Sequence, residues 1–197
     1  MLTVYGDIRS GNCLKVKWLL EWLRRDYRWV EVDIMNGGSR APEFLAINPA
    51  GQVPTLVLED GRPLGQSNAI LMYLGEATEL IPRDVYDRAR MAEWLFWEQY
   101  SHEPYVAVAR FQRVYQGRAQ AEVEPRLMQR GDAALDRLEG ALEGRAWLVG
   151  EAMTLADIAL VAYTRMAADG GFDLQGRTHV RRWIAGVEAA LGLEPYV

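Results

Sequence analysis

Asn48-Pro49-Ala50-Gly51-Gln52-Val53-Pro54-Thr55-Leu56-Val57-Leu58, followed after a polar turn by Gln66-Ser67-Asn68-Ala69-Ile70, decides how this chain is read. Pro49 and Gly51 predict a turn that delivers the chain into the short apolar strand Val53 to Leu58. Pro54 cannot donate a ladder hydrogen bond, so it belongs at the first residue of that strand or on an edge. With a cis peptide bond there, the Val53 amide and carbonyl face outward and are free to pair with an extended peptide. Farther on, Ser67 reads as an N-cap before Ala69, Ile70, Leu71 and Leu74, which fall at helical spacing. A helix N-terminus opening onto that turn suits a carboxylate. Together the two segments suit a small peptide with a free carboxylate.

Upstream, Leu2 to Tyr5 reads as a strand and Gly6 to Asn12 as a polar connection. From Cys13 to Arg24, Leu14, Trp18, Leu19, Trp22 and Leu23 recur at three and four, an amphipathic helix. Arg28 to Ile34 alternates as a second strand, which the crossover rule makes parallel to the first. A loop through Gly37-Gly38-Ser39-Arg40 leads to a short helix opened by Pro42. Leu56–Leu58 and Arg62–Gly65 form a hairpin around Glu59-Asp60-Gly61. The order β-α-β-α-β-β-α is a thioredoxin-like layout.

Everything past Pro82 is helical in pattern. One long aromatic-rich helix runs from Asp84 to about Tyr115, with Pro104 kinking or breaking it. Pro125 opens another, with Leu127, Leu135, Leu138 and Leu142 on its apolar stripe. Thr154-Leu155-Ala156-Asp157 has a capping-box pattern, and Met153 and Ile158 are placed as its hydrophobic staple, before an apolar helix to Ala168. A last helix runs from about Thr178 to Ala190. The expected fold class is therefore α/β plus all-α: a thioredoxin-like N-terminal domain over 1–79, then a helical-bundle domain over 84–197.

At 197 residues and 50% hydrophobic, the chain is long enough for a sizeable core. Its net charge of −5 is spread along both halves. No basic stripe offers itself to nucleic acid or to an anionic membrane, and no apolar run reaches spanning length, so a cytoplasmic protein is expected. A single cysteine, Cys13, with only His102 and His179 besides, leaves no set of residues suited to a metal.

The pairing of Asn-Pro-x-Gly-Gln-Val-Pro with Gln-Ser-Asn-Ala-Ile resembles the glutathione site of the glutathione transferase superfamily. A thioredoxin-like half followed by a helical half is that family's architecture, and the capping box at Thr154 to Asp157 resembles one in its buried sixth helix. The Ser10-Gly11-Asn12-Cys13 loop is similar to bacterial serine- or cysteine-type members. The resemblance implies glutathione as cosubstrate, no metal, a small electrophile or disulfide as second substrate, and a homodimer. It assigns backbone pairing of the cysteinyl moiety to Val53, with Pro54 shaping the turn. The γ-glutamyl end would go to Gln66 and Ser67, and the glycyl carboxylate to Gln52 and Arg40, the latter equally readable as a solvated charge.

For chemistry, a thiol of pKa roughly 8.5 is only a few per cent thiolate at pH 7, and the thiolate is the nucleophile. A donated hydroxyl and the positive end of a helix both favour the anion. In the resemblance Ser10 falls where serine-type members place the activating hydroxyl; as plain sequence it is also a cap. Asn12 could donate its amide to the sulfur. Cys13 stands at the resolving position of a glutaredoxin-like Cys-x-x-Cys, either a partner in a mixed disulfide or a small buried residue. Tyr5 reads as core. Tyr100-Ser101-His102-Glu103-Pro104-Tyr105 resembles a histidine-bearing segment of beta-type bacterial members, which implies that His102 lines the second-substrate site beside Tyr105, Arg110 and Phe111; a packed histidine is the alternative. Asp157 is expected to cap rather than catalyse. Two other readings share the fold: a glutathione-dependent disulfide reductase or peroxidase, and a non-catalytic interaction module.

Overall fold

In the computed structural model, which describes residues 1–196, the chain divides into two compact units, Met1–Ala77 and a second beginning at Thr78. The first is a four-stranded sheet in the order β2-β1-β3-β4, built from β1 (Leu2–Gly6), β2 (Tyr27–Glu31), β3 (Thr55–Val57) and β4 (Pro63–Leu64). β1 and β2 run parallel, joined through α1 (Gly11–Trp22), while β3 is antiparallel to both β1 and β4. α2 (Pro42–Leu45) and α3 (Ser67–Gly75) complete the unit. Val4, Val16, Leu19, Leu20, Leu56, Ile70 and Leu71 have no exposed surface and form its core. That is the thioredoxin-like layout the element order predicts.

Three details differ from the sequence reading. β2 stops at Glu31 rather than Ile34, because the Asp33 carboxylate accepts the Met35 amide and caps a 3-10 turn over Ile34–Asn36. α1 begins two residues earlier than Cys13, so Ser10 occupies its N-cap position. Ser67 is the first helical residue of α3, and Gln66 holds the cap position before it.

The second unit is all helical: α4 (Val85–Trp97), α5 (Glu103–Arg110), α6 (Pro125–Ala141), α7 (Leu155–Thr164) and α8 (Thr178–Leu191). The long helix expected over Asp84–Tyr115 is present but interrupted twice by π turns, at Glu98–His102 and Phe111–Tyr115. The first absorbs Pro104: the Glu103 amide reaches back five residues to the Glu98 carbonyl, and Pro104 then sits in the first turn of α5, where a missing N–H costs nothing. α7 ends at Thr164, short of Ala168, and passes into a 3-10 turn over Ala167–Gly170. Leu135, Leu138, Leu142, Leu155 and Ile158 are wholly buried, as the apolar spacing requires.

The capping box forms. Asp157 accepts the Thr154 amide at 2.8 Å and the Thr154 hydroxyl at 3.0 Å through one oxygen. Its other oxygen takes the Leu148 amide at 3.0 Å and the Trp183 indole N–H at 2.8 Å, ties that local sequence spacing does not reveal. Met153 and Ile158 are both buried beside it.

Candidate functional site

In the first unit, side chains from the α1 N-terminus, the Asn48–Pro54 turn and the α3 N-terminus are joined by hydrogen bonds. Asn48 organises the turn. Its side-chain oxygen accepts the Ala50 amide at 3.1 Å, and its Nδ2 donates to the Gln52 carbonyl and Thr55 Oγ1, each at 2.9 Å. Gly51 adopts φ +61°, and a Cβ there would lie 2.8 Å from the Ser39 carbonyl and 2.6 Å from Arg40 Nη1, so glycine is needed for both conformation and space. The Val53-Pro54 peptide bond is cis, and among the described residues the Val53 amide and carbonyl take part in no hydrogen bond.

Gln66 sits at φ 64° and ψ 111°, a backbone state that bulky residues rarely hold, immediately before α3. Its Nε2 donates to Gln52 Oε1 at 3.1 Å, setting the two exposed amides side by side. Ser67, 5% exposed, donates its hydroxyl to Asn12 Oδ1 at 3.0 Å and so links the first turns of α3 and α1. The first-turn amides of α3 lack intrahelical acceptors, which makes this end a site for anionic groups. Arg40 lies over the turn, with Nη1 3.4 Å from the Ala50 carbonyl.

Ser10 has extended backbone angles (φ −86°, ψ 120°), donates its amide to the Asp7 carbonyl at 3.0 Å, and accepts the Cys13 and Leu14 amides through its own carbonyl. Its hydroxyl makes no capping bond to the helix. The reading of Ser10 as a side-chain cap is thereby corrected: the position is that of a cap, but the hydroxyl does not serve as one. Cys13 is wholly buried, and its sulfur accepts the Asp7 amide at 3.4 Å. Burial pushes its thiol up to about 11, against smaller opposing effects of the Asp7 amide and the Ser10 hydroxyl.

Residues 9–77 match the glutathione S-transferase N-terminal domain and residues 94–190 the C-terminal domain of the same enzymes. The Escherichia coli protein named disulfide-bond oxidoreductase YfcG is 32% identical over 185 residues, covering 88% of this chain and 84% of its own. The chain belongs to the glutathione S-transferase family. Maize glutathione S-transferase 3 is 30% identical across 95% of this chain and 89% of its own length. A crystal structure of a glutathione S-transferase from Pseudomonas fluorescens superposes with a TM-score of 0.94 at 44% identity, covering 100% of this chain and 98% of that one.

Two features of this glutathione transferase escape sequence patterning. The first is an ion cluster beneath the Ser10 loop. The Asp7 carboxylate, with no exposed surface, accepts the Arg9 amide (2.9 Å), Arg9 Nε (2.8 Å) and Nη2 (2.6 Å), and the Ile34 amide (3.1 Å). Burial alone would raise its pKa, but those hydrogen bonds and the guanidinium charge more than offset this and hold it below the usual carboxylate value. Arg9 Nη2 also reaches Asp33 at 2.6 Å, and Asp33, bonded by Asn36, Arg9 and the Met35 amide, falls to about 2. The second is Lys15, a lysine with no exposed surface on α1, which donates to Asn68 Oδ1 of α3 at 2.9 Å. Asp7 and Arg9 are two residues apart, but Asp33 lies 24 positions beyond Arg9, and only the parallel pairing of β1 and β2 brings it to them.

In the helical unit of the transferase, His102 departs from its expected place. Its ring is completely buried, with Nε2 3.0 Å from Thr164 Oγ1 and the ring centroid 6.0 Å from that of Trp97. The ring packs inside this unit. Arg110 is likewise taken up by structure: its Nε pairs with Asp169 at 3.0 Å and its Nη1 donates to the Tyr115 hydroxyl at 3.2 Å. Phe111 is exposed and Tyr105 half-buried. Tyr5, half-buried on β1, packs toward Phe44 with ring centroids 6.0 Å apart, in keeping with a core role. Asp157 is a cap, buried deeply enough that desolvation raises its pKa despite four donors.

Proposed function

We propose that the protein binds reduced glutathione on its N-terminal domain, residues 1–79, ionises the thiol with help from Ser10, and adds the thiolate to an electrophilic small molecule. The observation that carries this reading is the Ser10 hydroxyl, which stands at the N-terminus of α1 without capping it. A hydroxyl donor and the helix terminus both favour a thiolate over a thiol. Val53, with its backbone unengaged beside Pro54, suits the cysteinyl moiety, which pairs as an added strand. Gln66 and Ser67 at the start of α3 would take the γ-glutamyl end, and Gln52 with Arg40 the glycyl carboxylate. Asn12 is a second group beside the sulfur. His102 has no part in this reading.

The test is calorimetric titration with reduced and with oxidised glutathione. Preference for the reduced form, with conjugation to a panel of electrophiles, is the expected result. Absence of binding by either form would remove the reading.

A second reaction is favoured by one observation: the Escherichia coli relative bears the name of a disulfide-bond oxidoreductase. Since Cys13 is buried with a raised pKa, a reductase here would use the glutathione thiolate as its nucleophile rather than a protein cysteine. Equal or tighter binding of oxidised glutathione would select it. For assembly we propose a homodimer. Val85, Phe96 and Tyr100 are 81%, 77% and 83% exposed along one helical run, more apolar surface than a solitary helix face needs. A cytoplasmic setting agrees with the lone free cysteine, and no helix among the described residues is long and apolar enough to cross a membrane.

A further inference from the structure

The loop that carries Ser10 is fixed by groups that take no part in the proposed chemistry. Asp7 directly follows β1, and Asp33 follows β2; a single guanidinium, Arg9, bonds both carboxylates at 2.6 Å through Nη2. Arg9 also folds its own amide onto Asp7 Oδ1 at 2.9 Å, closing a tight turn one residue before Ser10. On the other side, the Asp7 amide bonds the sulfur of Cys13 in the first turn of α1. Ser10 is therefore clamped at both flanks, and its hydroxyl, which caps no amide of the helix, turns toward the Cys13 sulfur, where it helps to lower the thiol pKa. The position of its Cβ, and so the arc open to Oγ, is set by the loop backbone, and the loop backbone is set by the cluster.

The cluster does not act on a thiolate through its charge. Two carboxylates and one guanidinium sum to a net negative charge, which would oppose a nearby anion. Its contribution has to be geometric. A hydrogen bond to sulfur weakens steeply with misalignment, so a small displacement of Oγ costs most of its effect.

We propose that Arg9, held between Asp7 and Asp33, is a positioning residue that places the Ser10 hydroxyl against the thiol of the bound peptide. This rests on the reading of Ser10 given above. The planar fork is essential, because a lysine ammonium cannot hold both carboxylates and the loop in one arrangement.

The experiment measures the pKa of bound glutathione from its ultraviolet thiolate absorbance, with steady-state kinetics, in Arg9→Met, Arg9→Lys, Ser10→Ala and the double variant Arg9→Met/Ser10→Ala. Both Arg9 variants are expected to raise the thiol pKa by about one unit, a roughly tenfold loss of thiolate at neutral pH, with glutathione KM changed less than about threefold. In the Ser10→Ala background, Arg9→Met should add nothing further, because two residues acting through one hydrogen bond are not additive. Asp33→Asn, which touches a half-exposed carboxylate, offers a milder variant should Arg9→Met fail to fold, with a smaller shift in the same direction. An Arg9 shift that recurs undiminished in the Ser10→Ala background overturns the positioning role. So does an unmoved thiol pKa in Arg9→Met where Ser10→Ala raises it, which leaves the Ser10 reading intact. An unmoved pKa in Ser10→Ala itself overturns both.

Discussion

The hydroxyl of Ser67 donates to the side-chain oxygen of Asn12 across 3.0 Å, tying the first turn of α3 to the first turn of α1. A serine hydroxyl has one proton to donate. For Ser67 to hold the carboxylate of a bound peptide, it must release Asn12, and the two groups therefore compete for the same hydrogen. Ser67→Ala is expected to weaken glutathione binding about 10- to 100-fold, the loss of one hydrogen bond to a charged group. Asn12→Ala should lower turnover while leaving affinity equal or slightly improved. Titration calorimetry with initial-rate kinetics checks both; loss of affinity in Asn12→Ala would show that the Ser67–Asn12 bond supports binding rather than competes with it.

Cys13 should be chemically silent in the folded protein. With its sulfur fully buried and its pKa raised to about 11, almost no thiolate is present at pH 7. Alkylation by iodoacetamide should become fast only once denaturant unfolds the chain. Rapid labelling of the native protein, or a mixed disulfide with glutathione seen by mass spectrometry, would reopen the cysteine mechanism.

Asp7 makes stability depend on acid. Because its folded pKa lies below the unfolded value of 3.8, its contribution is complete above the unfolded pKa and is lost as pH falls through the folded one. The Tm difference between the wild type and Asp7→Asn should therefore be widest near neutral pH and narrow below about pH 4. A difference that stays constant through the acid range would mean the Asp7 charge has no special stability in the fold.

Asp157 holds the start of α7 with four accepted hydrogen bonds in the interior. Asp157→Ala leaves the Leu148 and Thr154 amides and the Trp183 indole without their acceptor. The expected cost is roughly 3 kcal/mol, a fall in Tm of about 10 °C for a chain of this size. Scanning calorimetry gives the answer, and a Tm within ~2 °C of wild type would remove Asp157 from the stability of the helical unit.

Much of this was legible in the residues because it is local. Pro54 and Gly51 shape their own turn, and Thr154 with Asp157 completes a cap within four positions, so that turn and the start of α7 could be read directly, whereas the starts of α1 and α3 differ from the reading by one or two residues. Ion pairs across strands could not. Asp7 and Asp33 belong to different elements, and nothing in the alternation around them says that Arg9 will join them. The same holds for Lys15, which the α1 spacing leaves unremarked but which the fold buries against Asn68. The expectation for His102 came from resemblance rather than spacing, and the burial of its ring beside Thr164 and Trp97 is a tertiary placement that the pattern around Pro104 does not specify.

Those π turns carry a further consequence for how this helix tolerates change in length. A regular α-helix advances about 100° per residue, so a residue added to it would rotate everything after it by that angle, whereas a wide π turn takes up the extra residue and leaves the following helix in phase. Deleting one residue from 98–102 should therefore let the ladder close as ordinary α-helix while Val106 and Ala109, 1% and 0% exposed, keep their inward faces. Through this stretch the chain can lose a residue without exchanging its core for its surface.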